Sequence, residues 1–455
     1  MDRARGSNLQ NNNSKQIEEQ RIQSTAIVKV QEPSIKIEPT VGGQLLRKLF
    51  QIIFYIQLFL LSILIIALTI RGLIYAAGGT DRFDPKQWYP PLLVSIASGG
   101  IVSFVWQSIA FHYPSNSIKS AFWLTPLLTC ALGVLHILIG SSLSLAAGTI
   151  AIVSGVIQSL YACWVNSRFD YASKILEVST SVPPDKTTAF VIVSTITCLA
   201  YSSFSVAGIG GATATGTDLD VLFIVLILLS FTWSMQVIKN MLYVTISRVR
   251  YMTFACGVDT DTRSAFRDTL KHLVGSVCIG SAFVPVIGTI RGSARAVNLV
   301  AGDNDEFLFS CADCYSGFAS TLITYGNRWG FVHVGVYNKG FIQASADIWE
   351  MFKREELITL IDSDLTGVFC FLSGVTVGSI SGIIGGTWEL IMHKSYATEV
   401  SIYAFFIGYF MCRIALAWQQ ASVSAYYVAY AENPQSARFD ATIPVRLEQL
   451  HRFKV

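Results

Sequence analysis

The chain has 455 residues, of which 14% are charged and 52% are hydrophobic. Ordinary soluble domains carry about 25% charged residues, so the composition excludes this class and indicates a membrane protein. The formal net charge of +3 is small, and the basic residues lie beside apolar runs, which excludes a nucleic-acid partner on this evidence.

The first 49 residues form a polar segment, as in "GSNLQNNNSKQIEEQRIQ". Such a composition is typical of disorder, so residues 1–49 are predicted to be a disordered cytoplasmic tail. We find no apolar stretch early enough to act as a cleavable signal peptide. Residues 50–430 are predicted to form the transmembrane domain, and residues 431–455 a cytoplasmic C-terminal tail.

Apolar stretches follow one another along the rest of the chain. A spanning helix needs about 20 mainly apolar residues, and the candidates in chain order are residues 50–70, 91–111, 121–139, 143–165, 188–209, 219–237, 273–290, 365–391 and 402–427. A more polar candidate covers residues 328–352. The sequence therefore predicts an all-α fold, a polytopic transmembrane helical bundle of about ten spans.

The basic residues of the short loops predict the orientation of the spans. Arg47 and Lys48 precede the first span and Lys119 follows the second, whereas the loops at 140–142 and 210–220 contain no basic residue. The positive-inside rule then places both termini in the cytoplasm. Residues 291–327, which start with Arg291, do not fit this pattern, and we expect them to lie at the membrane interface.

Three glycines of the eighth apolar stretch, Gly374, Gly378 and Gly382, recur at every fourth residue and predict one helix face that another helix approaches closely. Gly275 and Gly280 have the same role in a less regular pattern. The glycine-rich residues 207–216 lack the Gly-Lys-Ser/Thr ending of a phosphate-binding loop, and we predict an external turn there.

Motifs for catalysis or for cofactor binding are absent from the sequence. The pair Cys311 and Cys314 has no second pair or nearby His doublet, which favours a disulfide or two inert thiols over zinc. Hydrolase signatures of the G-x-S-x-G or H-E-x-x-H type do not occur. We therefore predict that the protein is not an enzyme and that it needs no cofactor or metal.

Polar residues inside the spans are more informative, because each costs free energy unless it finds a partner or lines a wet cavity. Trp233, Gln236 and Asn240 share one helix face. Arg413 lies within the last span, where it either pairs with Glu389 or reaches the interface or backbone carbonyls.

The stretch "VYNKGFIQASADIWEMF", residues 336–352, mixes aromatic and polar residues. Read as one helix, it places Tyr337 and Phe341 on one stripe and Lys339 and Gln343 on another. Lipid does not tolerate the second stripe, so the segment is predicted to line a pathway. The alternative is an amphipathic helix on the membrane surface.

Several of these segments, taken in order, resemble the choline transporter-like family of plasma-membrane solute carriers. The resemblance is carried by "WSMQVIKNMLYVTIS" (233–247), "VGSVCIGS" (274–281), "GFIQASADIW" (340–349), "DSDLTGVFCFLSGVTVG" (362–378) and "VAYAENPQS" (428–436). It covers roughly the C-terminal half and is closest in pattern to the fungal, plant and protist members.

The resemblance implies a carrier of choline or a related quaternary amine that works by alternating access in the plasma membrane. Its partners would be this small-molecule cation and the lipid bilayer. Aromatic faces bind quaternary ammonium groups, so Trp233 and Tyr337 are expected to supply cation–π contacts beside Phe341. Gln236 and Asn240 are expected to hydrogen-bond a substrate hydroxyl.

Lys339 does not suit a cation carrier. It points to the interface, pairs with an acid such as Asp347 or Asp364, or else marks the site as one for an anion. The alternative function is that of a trafficking or scaffold protein that keeps the family fold without transport. A purely structural role of the aromatic residues is also compatible with the sequence, since membrane proteins are often rich in aromatic side chains.

Overall fold

The structure is a computed structural model, which describes residues 41–78, 84–215, 219–301, 317–392 and 396–452. These residues belong to one compact unit, Pro39–Val455. Most of the predicted N-terminal tail and the pair Cys311 and Cys314 lie outside the described residues.

Long helices make up the first part of the chain: α1 Val41–Ala77, α2 Pro85–His112, α3 Pro114–Ile139, α4 Ser142–Val165, α5 Phe169–Thr180, α6 Thr187–Thr215, α7 Asp220–Tyr251, α8 Thr262–Asp268 and α9 Val274–Ala301. A π-helical turn, Met252–Cys256, extends α7, and another, Thr269–Leu273, joins α8 to α9. Residues 41–49, part of the predicted tail, form the start of α1.

The second part contains shorter helices as well: α10 at residues 317–325, α11 Gly330–Tyr337, α12 Phe341–Arg354, α13 Ile358–Ser363, α14 Thr366–Met392, α15 Ala397–Ala415, α16 Ala417–Glu432 and α17 Thr442–Arg452. The described residues contain no strand. Within them, nine helices are long and apolar enough to cross a membrane. The predicted all-α bundle is confirmed.

Local signals explain where the helices begin and end. Asp84 caps α2 by accepting a hydrogen bond from the backbone N–H of Lys86 at 2.9 Å, and Pro85 occupies the first helical position. The helix α3 ends at Gly140, which adopts φ 78°, and Ser141 then caps the start of α4. Because the turn at residues 140–141 is short, α3 and α4 pack side by side.

The middle of the bundle is built around α14 and α15, which pack against each other and against α2 and α3. A Cβ atom on Gly378 would lie 2.7 Å from the carbonyl oxygen of Phe405, and one on Gly382 would lie 3.0 Å from that of Ser401. The predicted close approach of a second helix along this face is confirmed.

The external turn predicted at 207–216 is wrong, because these residues continue α6 up to Thr215. A Cβ atom on Gly211 would overlap the carbonyl oxygen of Leu68, and one on Gly208 would meet Ile65 at 2.8 Å. The glycines therefore allow α1 to approach α6 closely. The sequence showed a cluster of glycines but not that they serve helix packing instead of a loop.

Two predicted spans are interrupted in the structure. Residues 402–427 are divided at Leu416 into α15 and α16, and no proline or glycine marks this break. Residues 328–352 form the antiparallel pair α11 and α12, because Asn338 has φ 53° and ends α11. Tyr337 and Phe341 thus lie on different helices, and the single stripe predicted for them is wrong.

Candidate functional site

A polar cavity of about 810 Å³ lies within the helical bundle. Its walls come from α7, α9, α14, α15 and α16, together with Arg328 and Phe331 at the start of α11. A cavity of this size can hold a small organic molecule. We call it the polar cavity.

One face of α7 forms the most polar wall of the polar cavity. Gln236, Lys239, Asn240 and Tyr243 follow the helical repeat, so all four line the same side. The Asn240 side-chain amide donates a hydrogen bond to the hydroxyl of Ser281 at 2.9 Å. The side-chain oxygen of Gln236 is buried and has no hydrogen-bond partner among the described residues, so it can accept one from a ligand.

An ion pair between Arg328 and Asp364 forms another part of the wall. The Asp364 side chain is fully buried, and it also accepts hydrogen bonds from the backbone N–H of Thr366 at 2.9 Å and from the Thr366 hydroxyl at 2.6 Å. These bonds hold the carboxylate at the start of α14. Arg328 packs directly over Gly367, where any side chain would collide with the guanidinium.

Two further cations, Lys239 and Arg413, line the polar cavity. Lys239 is 8% exposed. The Nε and Nη1 atoms of Arg413 are buried and have no hydrogen-bond partner among the described residues. Both side chains belong to helices that are long enough to span a membrane, and a cation at such a position is costly unless a ligand or water solvates it.

Aromatic rings complete the lining as two pairs. Tyr243 and Phe331 have ring centroids 5.7 Å apart, and Phe371 and Tyr409 have centroids 6.0 Å apart. All four residues face the polar cavity. Such ring faces can bind a quaternary ammonium group.

A second cluster of polar residues lies where α7, α11 and α16 end. The Glu432 carboxylate accepts hydrogen bonds from the Tyr337 hydroxyl at 3.0 Å, from the Tyr251 hydroxyl, and from Nε2 of His333 at 3.1 Å. We call these four residues the Glu432 cluster. It ties together the ends of three helices and lies outside the polar cavity.

Comparisons with known proteins identify the family. The family model described as plasma-membrane choline transporter matches residues 149–435, which is more than half of the chain. The chain belongs to this family. Residues 149–435 include the polar cavity and the Glu432 cluster, so both sites lie in the part of this choline transporter-like protein that defines the family.

Individual relatives are distant. Protein PNS1 of Mycosarcoma maydis is 22% identical over 370 residues, which are 75% of this chain and 69% of that protein. Protein pns1 of Aspergillus fumigatus is 23% identical over 232 residues, 47% of this chain and 42% of that protein. A CTL-like protein of Dictyostelium discoideum is 26% identical over 218 residues, which are 45% of this chain and 38% of that protein. The chain thus spans less than half the length of the second and third of these proteins.

The structure brings together two of the five residues that the sequence proposed for substrate binding. Gln236 and Asn240 line the polar cavity. Trp233 lies on a neighbouring groove of about 440 Å³, where its ring contacts Phe54 at 5.3 Å and its N–H donates to the carbonyl oxygen of Cys278 at 3.3 Å.

The other two proposed residues of this choline transporter-like protein lie on α11 and α12. Tyr337 belongs to the Glu432 cluster. Phe341 is buried against Phe331, with ring centroids 4.8 Å apart, and lines a separate cavity of about 290 Å³. Lys339 pairs with Asp347 at 2.5 Å, which is one of the partners considered for it.

Arg413 does not pair with Glu389. Its side chain packs beside Gly374, and Glu389 lies 15 residues further along α14, which is about 22 Å at 1.5 Å per residue. The cavity-lining residues Lys239, Arg328 and Asp364 did not enter the predicted site. Lys239 could have been found, because a lysine in an apolar span is itself a signal of a functional site.

Proposed function

We propose that this protein is a membrane transporter of small polar solutes, with choline-type quaternary amines as the substrate class, and that the polar cavity is the substrate site. The observation that carries this proposal is the cavity itself. A bundle that only needed to pack in lipid would fill an internal space of about 810 Å³ with apolar side chains. This bundle lines it with amides, hydroxyls and charges.

The choline-type substrate is supported by the family description and by the ring pairs of the polar cavity. A quaternary ammonium group has no N–H to donate, so aromatic faces are the usual way to bind it, at about 0.5 to 2 kcal/mol per ring. Gln236 and Asn240 lie on the same wall as Tyr243, where they can bind a hydroxyl or other polar group of the substrate.

Alternating access is supported by the arrangement of short helices beside the polar cavity. Arg47 of α1 donates hydrogen bonds to the Asn338 side chain at 2.8 Å and to the Asn338 backbone carbonyl oxygen at 3.1 Å. These bonds connect the turn between α11 and α12 to α1. The Glu432 cluster connects the same helix pair to α7 and α16 by hydrogen bonds. Hydrogen bonds of this kind can break while the apolar core stays packed.

Location in the plasma membrane with both termini in the cytoplasm is part of the proposal. The family description supports the plasma membrane. The orientation is supported by Arg47 and Lys48 near the start of α1 and by Lys119 near the start of α3, together with the loop at 140–141, which has no basic residue. Under this orientation the Glu432 cluster is at the cytoplasmic end.

The experiment is uptake of labelled choline into proteoliposomes that contain the purified protein. Gln236→Leu removes the unpartnered amide of the polar cavity, and Gln57→Leu makes the same change on the groove outside it. We expect saturable uptake that Gln236→Leu reduces about tenfold or more and that Gln57→Leu leaves within about twofold, where tenfold corresponds to about 1.4 kcal/mol.

Trp233→Ala and Tyr337→Ala, measured in the same assay, test the two aromatic residues that the structure places outside the polar cavity. A clear increase in the Michaelis constant for choline in either variant would return that residue to the site. Absence of uptake of any solute by folded, inserted protein would refute transport and would favour the scaffold function.

A further inference from the structure

The charges that line the polar cavity are unbalanced. Arg328 is paired with Asp364, but the lining also contains Lys239 and Arg413. Among the lining residues that the structure describes, Asp364 is the one carboxylate. A cation that carries no other charge is repelled by such a lining, since like charges interact strongly where water is scarce.

Lys239 is the clearest sign of a missing anion. It is 8% exposed, it faces the polar cavity from the middle of the polar wall, and the described residues offer it no ion pair. Arg413, which is also basic, lines the same cavity. Two neighbouring cations inside a bundle are unfavourable unless an anion lies between them.

Arg413 adds a geometric argument. Arg413 lines the polar cavity, and its buried Nε and Nη1 atoms have no hydrogen-bond partner among the described residues. Arginine presents its N–H donors as a planar fork that matches the oxygens of a carboxylate or a phosphate. Lys239 lines the same cavity and supplies a compact positive charge when an anion is bound there.

We infer that the substrate of the polar cavity carries a phosphate or carboxylate group and that Lys239 and Arg413 bind it. This inference rests on the proposed function, because it concerns the same cavity. A choline-type amine that also bears such a group satisfies both parts of the lining: the ammonium contacts the aromatic rings, and the anionic group contacts the two cations. Such a molecule is neutral or negative overall, as the lining requires.

A choline-type phosphate is available from two sources, a water-soluble ester and a phospholipid headgroup. The headgroup of phosphatidylcholine has the same chemistry, and Phe371 at the edge of the polar cavity is 48% exposed on the surface of the bundle. A headgroup could therefore enter from the bilayer. The test must separate the two sources.

Binding is measured by equilibrium dialysis of the full chain in detergent, with labelled choline and labelled phosphocholine as probes. Glycine betaine and inorganic phosphate serve as unlabelled competitors. We expect phosphocholine to bind at least tenfold more tightly than choline, and glycine betaine to compete better than choline does. Added phosphatidylcholine that displaces phosphocholine identifies the lipid headgroup as a ligand of the same site and supports the inference.

Variants of single residues test which side chains produce the preference for phosphocholine over choline. Lys239→Met and Arg413→Met are expected to reduce the phosphocholine-to-choline affinity ratio to about one, and Arg413→Lys is expected to keep part of it. Lys119→Met is the matched control, since Lys119 is exposed and lies far from the polar cavity in the chain. Size-exclusion profiles and thermal unfolding show whether each variant is folded.

The wild-type comparison alone decides the inference if a variant does not fold. Choline binding equal to or tighter than both phosphocholine and betaine overturns it, and saturable choline uptake in that case leaves the proposed function standing. Preference for the anionic probes without transport of any solute supports the inference and removes the proposed function. A preference that survives in both Met variants overturns the assignment to Lys239 and Arg413.

Discussion

Replacing Glu432 by glutamine tests how one end of the bundle is held together. The substitution keeps the shape of the side chain and removes its charge. In the wild-type protein the carboxylate accepts hydrogen bonds from Tyr251, Tyr337 and His333. Because these partners lie on α7 and α11, Glu432 on α16 is the common point of three helices.

The expected loss of stability follows from the number and type of these bonds. A hydrogen bond to a charged group stabilises by about 1.5 to 3 kcal/mol and a neutral one by about 0.5 to 1.5, so each bond that becomes neutral loses about 1 kcal/mol. The Glu432 side chain is 24% exposed, which weakens the effect through solvent screening. For three bonds we expect a decrease of about 2 kcal/mol in the free energy of unfolding.

The measurement is unfolding by SDS in mixed micelles, with Glu448→Gln as the matched control. Glu448 pairs with Arg452 on the exposed face of α17, where the two side chains are 63% and 75% exposed. Exposed pairs contribute about 0 to 1 kcal/mol. Equal losses in the two glutamine variants would refute the reasoning, since the Glu432 cluster would then contribute no more than a surface pair.

The pH dependence provides a second readout of the same site. Burial raises the pKa of Glu432, but hydrogen bonds from His333 and Tyr251 outweigh it, and the pKa lies below the ordinary value of 4.5. The stabilisation is therefore complete above pH 4.5 and is lost as the pH falls through the lowered pKa. Glu432→Gln is expected to flatten the stability profile in that acidic window, and an unchanged slope would contradict this assignment.

Two further predictions concern packing and charge. Gly378→Ala is expected to be less stable than Gly288→Ala by about 1 to 3 kcal/mol. Both variants gain helix propensity, but only at Gly378 would the new Cβ atom lie 2.7 Å from a backbone oxygen. Equal free energies of unfolding would exclude this close contact. Asp364→Asn is expected to lower the free energy of unfolding by about 3 to 5 kcal/mol, because it leaves Arg328 unpaired. The double variant with Arg328→Gln is expected to lose less, which a double-mutant cycle measures. Additive losses would argue against a buried pair.

Hydropathy predicts the spans well because it depends on properties that every residue of a span shares. The membrane requires long apolar helices, and the described helices α1 to α4 each contain the predicted span, with α4 matching its predicted limits within one residue. Gly378 and its neighbours were predicted for the same reason, since a spacing of four residues fixes one helix face. These features depend only on the composition and spacing of residues along the chain.

Periodicity could not predict which faces meet in space. Trp233 lies on the same α7 surface as Gln236 by helical spacing, yet it contacts Phe54 of α1, because α1 packs on that edge of α7. Residues 207–216 contain the glycines of a loop, and only the position of α1 shows that they permit helix packing. In both cases the deciding partner is more than 130 residues away in the chain.

Three of the charged groups that line the polar cavity, Arg328, Asp364 and Arg413, lie at or beside breaks between helices. Arg328 lies in the short non-helical stretch before α11, and Asp364 lies between α13 and α14. Arg413 and Gln420 flank the break at Leu416. Interrupted helices leave backbone groups unpaired within a membrane, and this is tolerated where protein or a wet cavity surrounds them. The same interruptions therefore both require a polar cavity and supply some of the side chains that line it, so a search for continuous apolar spans does not reveal these positions.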